Sequence, residues 1–211
     1  MLKGCGSLGR ALTRVVMPLL AGALCLASPA QAQFSQSYKF LEAVKKKDGA
    51  AVEEALNEPG STIVNTRDAT SGQTALHLVT LRRDLTWMSY LIGKGANVNV
   101  RDTRGVTPLQ LATNLGFIEG MELLVTNRAR IDDPNDAGET PLITAVHRRD
   151  VAMVRMLLKA GANPARADNS GRSAKDYATL DGSTAILNEI QNNAKPAAQR
   201  PGSPAVYGPS F

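Results

Sequence analysis

Short apolar stripes with helical spacing recur along the middle of the chain, separated by turn residues. In residues 138–164, Leu142 and Ala145 lie on one stripe, and Val151 and Val154 lie on the next. Apolar residues three to four positions apart occupy one face of an α-helix. The pattern therefore predicts a pair of short amphipathic helices.

Turn residues mark the ends of these helices. Thr140 can accept a hydrogen bond from a backbone N–H as an N-cap, and Pro141 fits the first helical position, where a missing N–H costs little. The pair Thr107-Pro108 repeats this arrangement upstream. We expect Gly95 and Gly161 to adopt the left-handed conformation that ends a helix.

The same pattern returns at one constant interval along the chain. The interval is carried by Gly72, Gly105, Gly138 and Gly171, by Thr74, Thr107, Thr140 and Ser173, by Leu76, Leu109 and Leu142, and by Val79, Ala112, Ala145 and Ala178. One such unit cannot bury its own apolar face, so copies must stack side by side. The small residues of the last series allow neighbouring first helices to approach closely.

The period and its motifs resemble the ankyrin repeat. The motifs are Thr74-Ala75-Leu76-His77, Thr107-Pro108-Leu109-Gln110 and Thr140-Pro141-Leu142-Ile143, with Gly95-Ala96-Asn97-Val98-Asn99 and Gly161-Ala162-Asn163-Pro164 after the second helix. The resemblance implies an all-α repeat solenoid of helix-turn-helix units with β-hairpin fingers. It also implies that His77 bonds neighbouring backbone and has a structural role.

We expect one domain over residues 33–193 that contains five units. Their approximate bounds are 35–65, 66–100, 101–133, 134–166 and 167–192. Lys175 in the last unit replaces the Leu of the others, which fits an end cap with one side in water. Residues 194–211 are rich in Pro, Gly, Ala and Ser, and this composition predicts a disordered tail.

The segment 1–32 has a different composition. It contains three cationic side chains and no acidic one, then an apolar stretch over residues 15–26 and the small-x-small motif Ala30-Gln31-Ala32. This is typical of a cleavable signal peptide, and the apolar stretch is shorter than the roughly 20 residues of a membrane-spanning helix. We expect cleavage after Ala32, no membrane attachment afterwards, and a periplasmic location, with secretion as the alternative.

Removal of this segment changes the charge and the available chemistry. It contains three of the 24 Lys and Arg and none of the 19 Asp and Glu, so the rest of the chain carries only +2. Cys5 and Cys25, the only cysteines, also lie in it. We therefore expect no disulfide, thiolate metal site or cysteine nucleophile in the mature chain.

The remaining residues do not form a recognisable catalytic or cofactor motif. His77 and His147 are the only histidines and do not stand at metal-ligand spacing. Asp133 and Asp136 weakly suggest a calcium loop, but the required ligand series is incomplete. We expect no cofactor, no metal and no enzymatic activity. A hydrolase that uses His147 with nearby acids is the competing class.

A binding role is left for residues that the fold does not require. The resemblance implies that partners contact the fingertips and the exposed ends of the first helices. The predicted partner-binding residues are Arg101, Thr103, Arg104, Val106, Asp133, Asp136, Glu139, Arg166, Asn169 and Arg172 at the fingertips and Leu81, Arg82, Asn114, Leu115, His147 and Arg148 on the helices. Mixed charge around an apolar centre favours a folded protein partner, whereas nucleic acid favours a basic stripe.

The predicted function is that of a monomeric, exported, non-catalytic scaffold that binds another protein through its concave surface. An inhibitor or immunity protein that neutralises a toxin or a periplasmic enzyme would use the same surface.

Two local patterns lead to further predictions. Lys46-Lys47-Asp48, Arg82-Arg83-Asp84 and Arg148-Arg149-Asp150 share one phase of the repeat. The cations suit the carboxyl end of the first helix and the Asp residues suit the start of the second, although the cations could also form a ridge for an anionic partner. Trp87 shares a phase with Gly120, so we expect the ring to pack toward the space that this glycine leaves.

Overall fold

The computed structural model describes residues 29–58 and 61–193, with side chains from residue 36 onward. These residues form ten α-helices and one 3-10 helix, Ile63–Asn65. The α-helices are α1 (Pro29–Lys46), α2 (Gly49–Asn57), α3 (Ala75–Leu81), α4 (Leu85–Gly93), α5 (Pro108–Leu115), α6 (Ile118–Thr126), α7 (Pro141–His147), α8 (Val151–Ala160), α9 (Ala174–Leu180) and α10 (Thr184–Asn193). The predicted signal segment up to residue 28 and the predicted tail lie outside the described residues.

The helices form five pairs, so the predicted repeat solenoid is confirmed. Each pair consists of a first helix and a second helix, and each first helix from α3 onward packs against the first helix of the preceding pair. Val79, Ala112, Ala145 and Ala178 are completely buried between the first helices. A small side chain at this position permits the close approach, which gives one continuous core along the stack.

The predicted N-caps of the first helices are confirmed. The hydroxyl oxygen of Thr107 accepts a hydrogen bond from the backbone N–H of Gln110 at 3.2 Å, and Thr140 accepts one from Ile143 at 3.3 Å. Pro108 and Pro141 begin the helices, as their missing N–H groups permit.

Carboxylates cap the second helices in three of the five units. Asp48 accepts a hydrogen bond from the backbone N–H of Ala51, and Asp84 accepts one from Trp87. Asp150 accepts two, from Ala152 and Met153. The capping role predicted for these Asp residues is therefore confirmed, and their negative charge also lies at the favourable end of the helix dipole.

The fingers are tight hairpin turns, held by side-chain oxygens. In the described residues they contain only the isolated β-bridges between Arg67 and Thr74 and between Ala167 and Ser173. The turns are closed instead by an Asp or Asn side chain at the start of each finger. In the third unit, the carboxylate of Asp102 accepts hydrogen bonds from the N–H groups of Arg104 and Val106 at 2.8 and 2.9 Å.

Two positions of the repeat require left-handed backbone. After the second helix, Gly95 and Gly161 have φ of 87° and 105°, as predicted, but Arg128 occupies the same place in the third unit with φ of 65°. Between the two helices of a unit, Gly116 and Gly182 have φ of 66° and 62°. Three cationic residues take that conformation in the other units, and they are Lys47, Arg83 and Arg149.

The predicted packing of Trp87 against Gly120 is wrong. The ring of Phe117 fills the space beside Gly120, and two of its carbons would lie 2.4 and 2.5 Å from an added Cβ. Trp87 instead packs edge-to-face on Tyr90, with 6.1 Å between the ring centroids. Phe117 stands where three other units have a capping Asp. Its ring occupies the space that a Cβ at position 120 would need, so Phe117 at the helix start requires Gly120 one turn later.

The left-handed conformation of Arg128 leads to a stability prediction. A side chain with a Cβ is strained there, whereas glycine is not, so Arg128→Gly should raise the free energy of unfolding by roughly 0.5–1 kcal/mol after the entropic cost of glycine is included. The reverse change, Gly95→Arg, is the matched control, because Gly95 occupies the equivalent position and an added Cβ meets no atom within 4 Å. It should lower stability by a similar amount. Denaturant unfolding measures both, and a loss of stability in Arg128→Gly would contradict the assignment.

Candidate protein-binding surface

The first helices and the fingers line one side of the stack, which is called the concave surface below. The backbone of the fingers is largely used within the fold. The N–H groups of Thr103, Asp136 and Asn169 each donate to a carbonyl oxygen of the preceding finger, at 3.0, 3.2 and 3.1 Å. Because these bonds join one unit to the next, the fingers form a continuous edge whose side chains, rather than backbone, are available to a partner.

Three of the cations that were predicted to meet a partner or to form a ridge for an anionic partner bind backbone within the stack. Arg82 donates to the carbonyl oxygens of Val44 and Lys45, at 2.5 and 3.4 Å, near the end of α1. Arg148 donates to Asn114 at 2.8 Å. The neighbouring Arg83 reaches in the opposite direction, to the carbonyl oxygen of Leu115. These guanidinium groups satisfy the free carbonyl groups at the ends of first helices in adjacent units.

Several fingertip residues also contact other parts of the fingers. Arg101 donates to the carbonyl oxygen of Pro134 at 2.5 Å. Asp133 pairs with Arg130 at 2.7 Å, and Glu139 accepts a hydrogen bond from the side chain of Asn135 at 3.1 Å. Such surface pairs contribute little stability, but they restrict the side chains that a partner meets.

The side chains of Thr103, Asn169 and Arg104 contribute to the same edge. The Thr103 hydroxyl donates to the Ser71 carbonyl oxygen at 2.9 Å, and the Asn169 amide donates to that of Asp136 at 2.9 Å. Arg104 is exposed and lies 3.6 Å from the carboxylate of Asp102. The contacts of Thr103 and Asn169 join adjacent units, whereas the contact of Arg104 stays within its own finger.

Val106 departs from the expectation for a binding residue, because its side chain is buried. Its carbonyl oxygen accepts a hydrogen bond from Nε2 of His77 at 3.1 Å. Nδ1 of His77 accepts one from the backbone N–H of Thr74 at 3.2 Å, so the imidazole joins the start of α3 to the next finger. The structural role implied for His77 agrees with this geometry.

The environment of His77 also changes its pKa. Burial lowers the pKa of the imidazole below its ordinary value, against the opposing effects of the hydrogen bond to Val106 and the charge of Asp102. Because Nδ1 accepts and Nε2 donates, the neutral tautomer with its proton on Nε2 fits the site.

Some of the predicted residues remain open to solvent. Leu81 is 43% exposed, and Asn114 and His147 are exposed at the equivalent positions of the next two units. The fourth member of this series, Leu180, is 67% exposed. Sequence reasoning missed Leu180, although it stands one full repeat after His147. Leu115, one position further along α5 than Asn114, is half-buried against the core.

The remaining fingertip candidates are exposed at the carboxyl-terminal half of the stack. Asp136, Arg166 and Arg172 present their side chains to solvent. The guanidinium of Arg172 lies 6.0 Å from the centroid of the Tyr177 ring. His147 contacts the same ring at 4.4 Å between centroids, in an edge-to-face arrangement.

Tyr177 was also missed as a site residue. Its hydroxyl donates to the carboxylate of Asp168 at 2.7 Å. The hydroxyl of Ser170 donates to the same carboxylate at 2.7 Å, and these bonds hold the pKa of Asp168 far below its usual range. The equivalent residues of the three preceding units are Leu78, Leu111 and Thr144. The change to a polar aromatic residue at position 177 was therefore visible in the sequence.

The described part of the chain offers no metal site or membrane span. Across residues 29–58 and 61–193, no three His, Cys, Asp or Glu side chains are grouped so that they could hold a metal ion. Within the same ranges, no helix combines the length and the apolar character needed to cross a bilayer.

The geometry defines a repeat protein of stacked helix pairs joined through their fingers. The family model described as "Ankyrin repeats (3 copies)" matches residues 40–135, and the one described as "Ankyrin repeats (many copies)" matches residues 124–178. The chain therefore belongs to the ankyrin-repeat family.

The curated relatives of this chain are longer proteins, and the chain spans a quarter or less of each of the following three. The ANK repeat-containing protein nipk-1 of Caenorhabditis elegans is 33% identical over 130 residues, which are 54% of this chain and 21% of that protein. The B-cell lymphoma 3 protein homolog of Mus musculus is 36% identical over 49% of this chain and 24% of its own length. The Neurogenic locus notch homolog protein 1 of Danio rerio is 33% identical over 64% of this chain but 6% of its own length.

The lowered pKa of His77 predicts a specific dependence of stability on pH. Protonation is less favourable in the folded chain than in the unfolded chain, where the pKa is about 6.5. The contribution of His77 is therefore complete above pH 6.5 and is lost as the pH falls below that value. The variant His77→Gln places the residue of the next unit at this position and does not titrate.

Denaturant unfolding at about pH 7.5 and about pH 5.5 measures this contribution. The native chain should lose more stability between the two values than His77→Gln does, because the remaining groups titrate in both proteins. Parallel losses would show that His77 is not responsible.

Proposed function

We propose that this protein is a non-catalytic scaffold that binds a folded protein partner in the periplasm through its concave surface. The observation that carries the proposal is the series Leu81, Asn114, His147 and Leu180. It is exposed in four successive units, while Thr80, Thr113 and Val146, one position earlier in the first three of these helices, are buried. Exposed Leu side chains beside polar groups suit a protein interface.

The polar groups of the described residues support binding rather than turnover. His77 is engaged on both ring nitrogens, and the ring of His147 packs on Tyr177 without a carboxylate hydrogen bond that would orient it as a general base. The hydrolase alternative would require His147 to act on a substrate, and its signature would be turnover that disappears in His147→Ala. An inhibitor or immunity protein would be a scaffold whose partner is an enzyme or toxin.

Leu81→Asp tests the scaffold proposal. The full tagged chain is used to capture proteins from a periplasmic extract of its own cells. We expect a saturable partner whose retention falls roughly tenfold or more in Leu81→Asp, because a charge would then be buried in the interface. Ser89→Asp is the control, since Ser89 is exposed on the second helix of the same unit.

Equal retention by the native chain and Leu81→Asp, or no saturable partner, would contradict the proposal. If the captured protein is an enzyme, loss of its turnover upon addition of the chain identifies the inhibitor form.

Export to the periplasm is a separate part of the proposal. It rests on the composition of the segment 1–32 and on the small-x-small motif that ends at Ala32. Cleavage there would shorten α1 to begin at Gln33. It would leave the buried residues of this helix, including Phe40, Leu41 and Val44, in the mature chain.

Mass spectrometry of the chain recovered from the periplasm tests the cleavage site. We expect a mature amino terminus at Gln33 for the native chain. Ala32→Arg should block this cleavage, because the residue before the cut must be small. Recovery of the uncut chain from cells that express the native sequence would rule out the proposed processing.

A further inference from the structure

The last unit carries an aromatic group that stacking does not require. Tyr177 is half-buried on α9, whereas Leu111 and Thr144 at the equivalent positions are buried at 7% and 8% exposure. Thr144 is held by the side chain of Gln110 at 2.9 Å. Because a short side chain is sufficient there, the ring of Tyr177 is an addition to the repeat pattern.

Two hydrogen-bond donors flank this ring and are not engaged by the rest of the described fold. The guanidinium of Arg172 lies over the ring, and among the described residues it has neither a hydrogen bond nor an ion pair. The imidazole of His147 packs against the ring and also lacks a hydrogen bond to any described residue. His147, Arg172 and Tyr177 are called the Tyr177 platform below. The ring restricts both groups, which reduces the entropy that binding would cost.

The carboxylates near the platform are engaged within the fold. Asp168 accepts hydrogen bonds from Tyr177, Ser170 and the backbone of its finger. Asp176 binds Ser173 at the start of α9. Asp181 lies 3.8 Å from Arg149. Within the described part of the chain, the platform therefore presents the cation of Arg172 beside the imidazole of His147, without a carboxylate paired to Arg172, although residues 33–193 contain 19 cationic and 19 acidic residues in total.

An aliphatic contact lies beside these donors. Leu180 follows Tyr177 by three residues on α9, so the two side chains lie on one face of the helix, and Leu180 is 67% exposed. The neighbouring finger bears exposed Asp136 and half-exposed Glu139, which would repel the continuous phosphates of a nucleic acid. A single carboxylate needs only the guanidinium of Arg172, and an aliphatic neighbour needs only Leu180, so a short segment with one acid suits this surface better than a polyanion.

We infer that the Tyr177 platform and Leu180 bind a segment of the partner protein in which an acidic residue lies next to an aliphatic one. The carboxylate binds the guanidinium of Arg172, with His147 beside it, and the aliphatic side chain contacts Leu180. Tyrosine and arginine are the residue types that dominate binding energy at protein interfaces. The inference rests on the proposed binding function and specifies the chemistry of the partner.

Selection from a random peptide library against the full chain tests the inference. We expect the selected peptides to share an Asp or Glu close to a Leu, Ile or Val. Arg172→Glu should weaken their binding on the order of tenfold or more, since repulsion replaces the charge-assisted bond. Lys159→Glu is the matched control, because Lys159 is an exposed cation on the second helix α8 rather than in a finger, and it should change the affinity less than about twofold. Circular dichroism verifies that both variants remain folded.

Three outcomes of the peptide experiments would overturn the inference. They are a basic or featureless peptide consensus, binding that is equally sensitive to Lys159→Glu, and tighter binding of single-stranded DNA than of the acidic peptides. A different result distinguishes the proposed function from this inference. A cellular partner that is lost with Leu81→Asp but retained with Arg172→Glu supports the scaffold and refutes this inference.

Discussion

The structure depends on contact between neighbouring units, because no helix pair can bury its apolar face alone. The first helices meet through Val79, Ala112, Ala145 and Ala178, which are completely buried. Each added unit therefore covers the exposed side of the preceding one, and the core grows by nearest-neighbour interfaces. The requirement for a small or β-branched residue at one position per unit follows from the short distance between these helices.

Polar contacts between units determine which groups are left for binding. The finger N–H groups donate to the preceding finger, and Arg82 and Arg148 donate to the ends of preceding first helices. His77 joins α3 to the next finger. A buried polar group without a partner is costly, so these side chains are constrained by the fold before any partner is considered. The available surface is what remains after those contacts.

The constant interval between repeated motifs made the architecture predictable from the sequence. Thr107 and Thr140 cap helices as expected, and Gly95 and Gly161 are left-handed, because these roles depend on local backbone chemistry. Roles that depend on long side chains were not predictable. The sequence alone does not reveal that Arg82 reaches the preceding unit, and Trp87 was assigned a space that Phe117 occupies. Likewise, the platform around Tyr177 combines residues from two units.

The carboxyl-terminal unit of the stack carries a charge that bears on association between copies. Lys175 is exposed on α9 where Leu76, Leu109 and Leu142 are completely buried under neighbouring helices. A repeat array with an apolar surface at each end could bind further copies end to end and form an open filament. In such a junction the ammonium group of Lys175 would lose its hydration. This loss costs free energy unless an acidic side chain pairs with the ammonium group. The charge of this one side chain therefore opposes an end-to-end junction through α9.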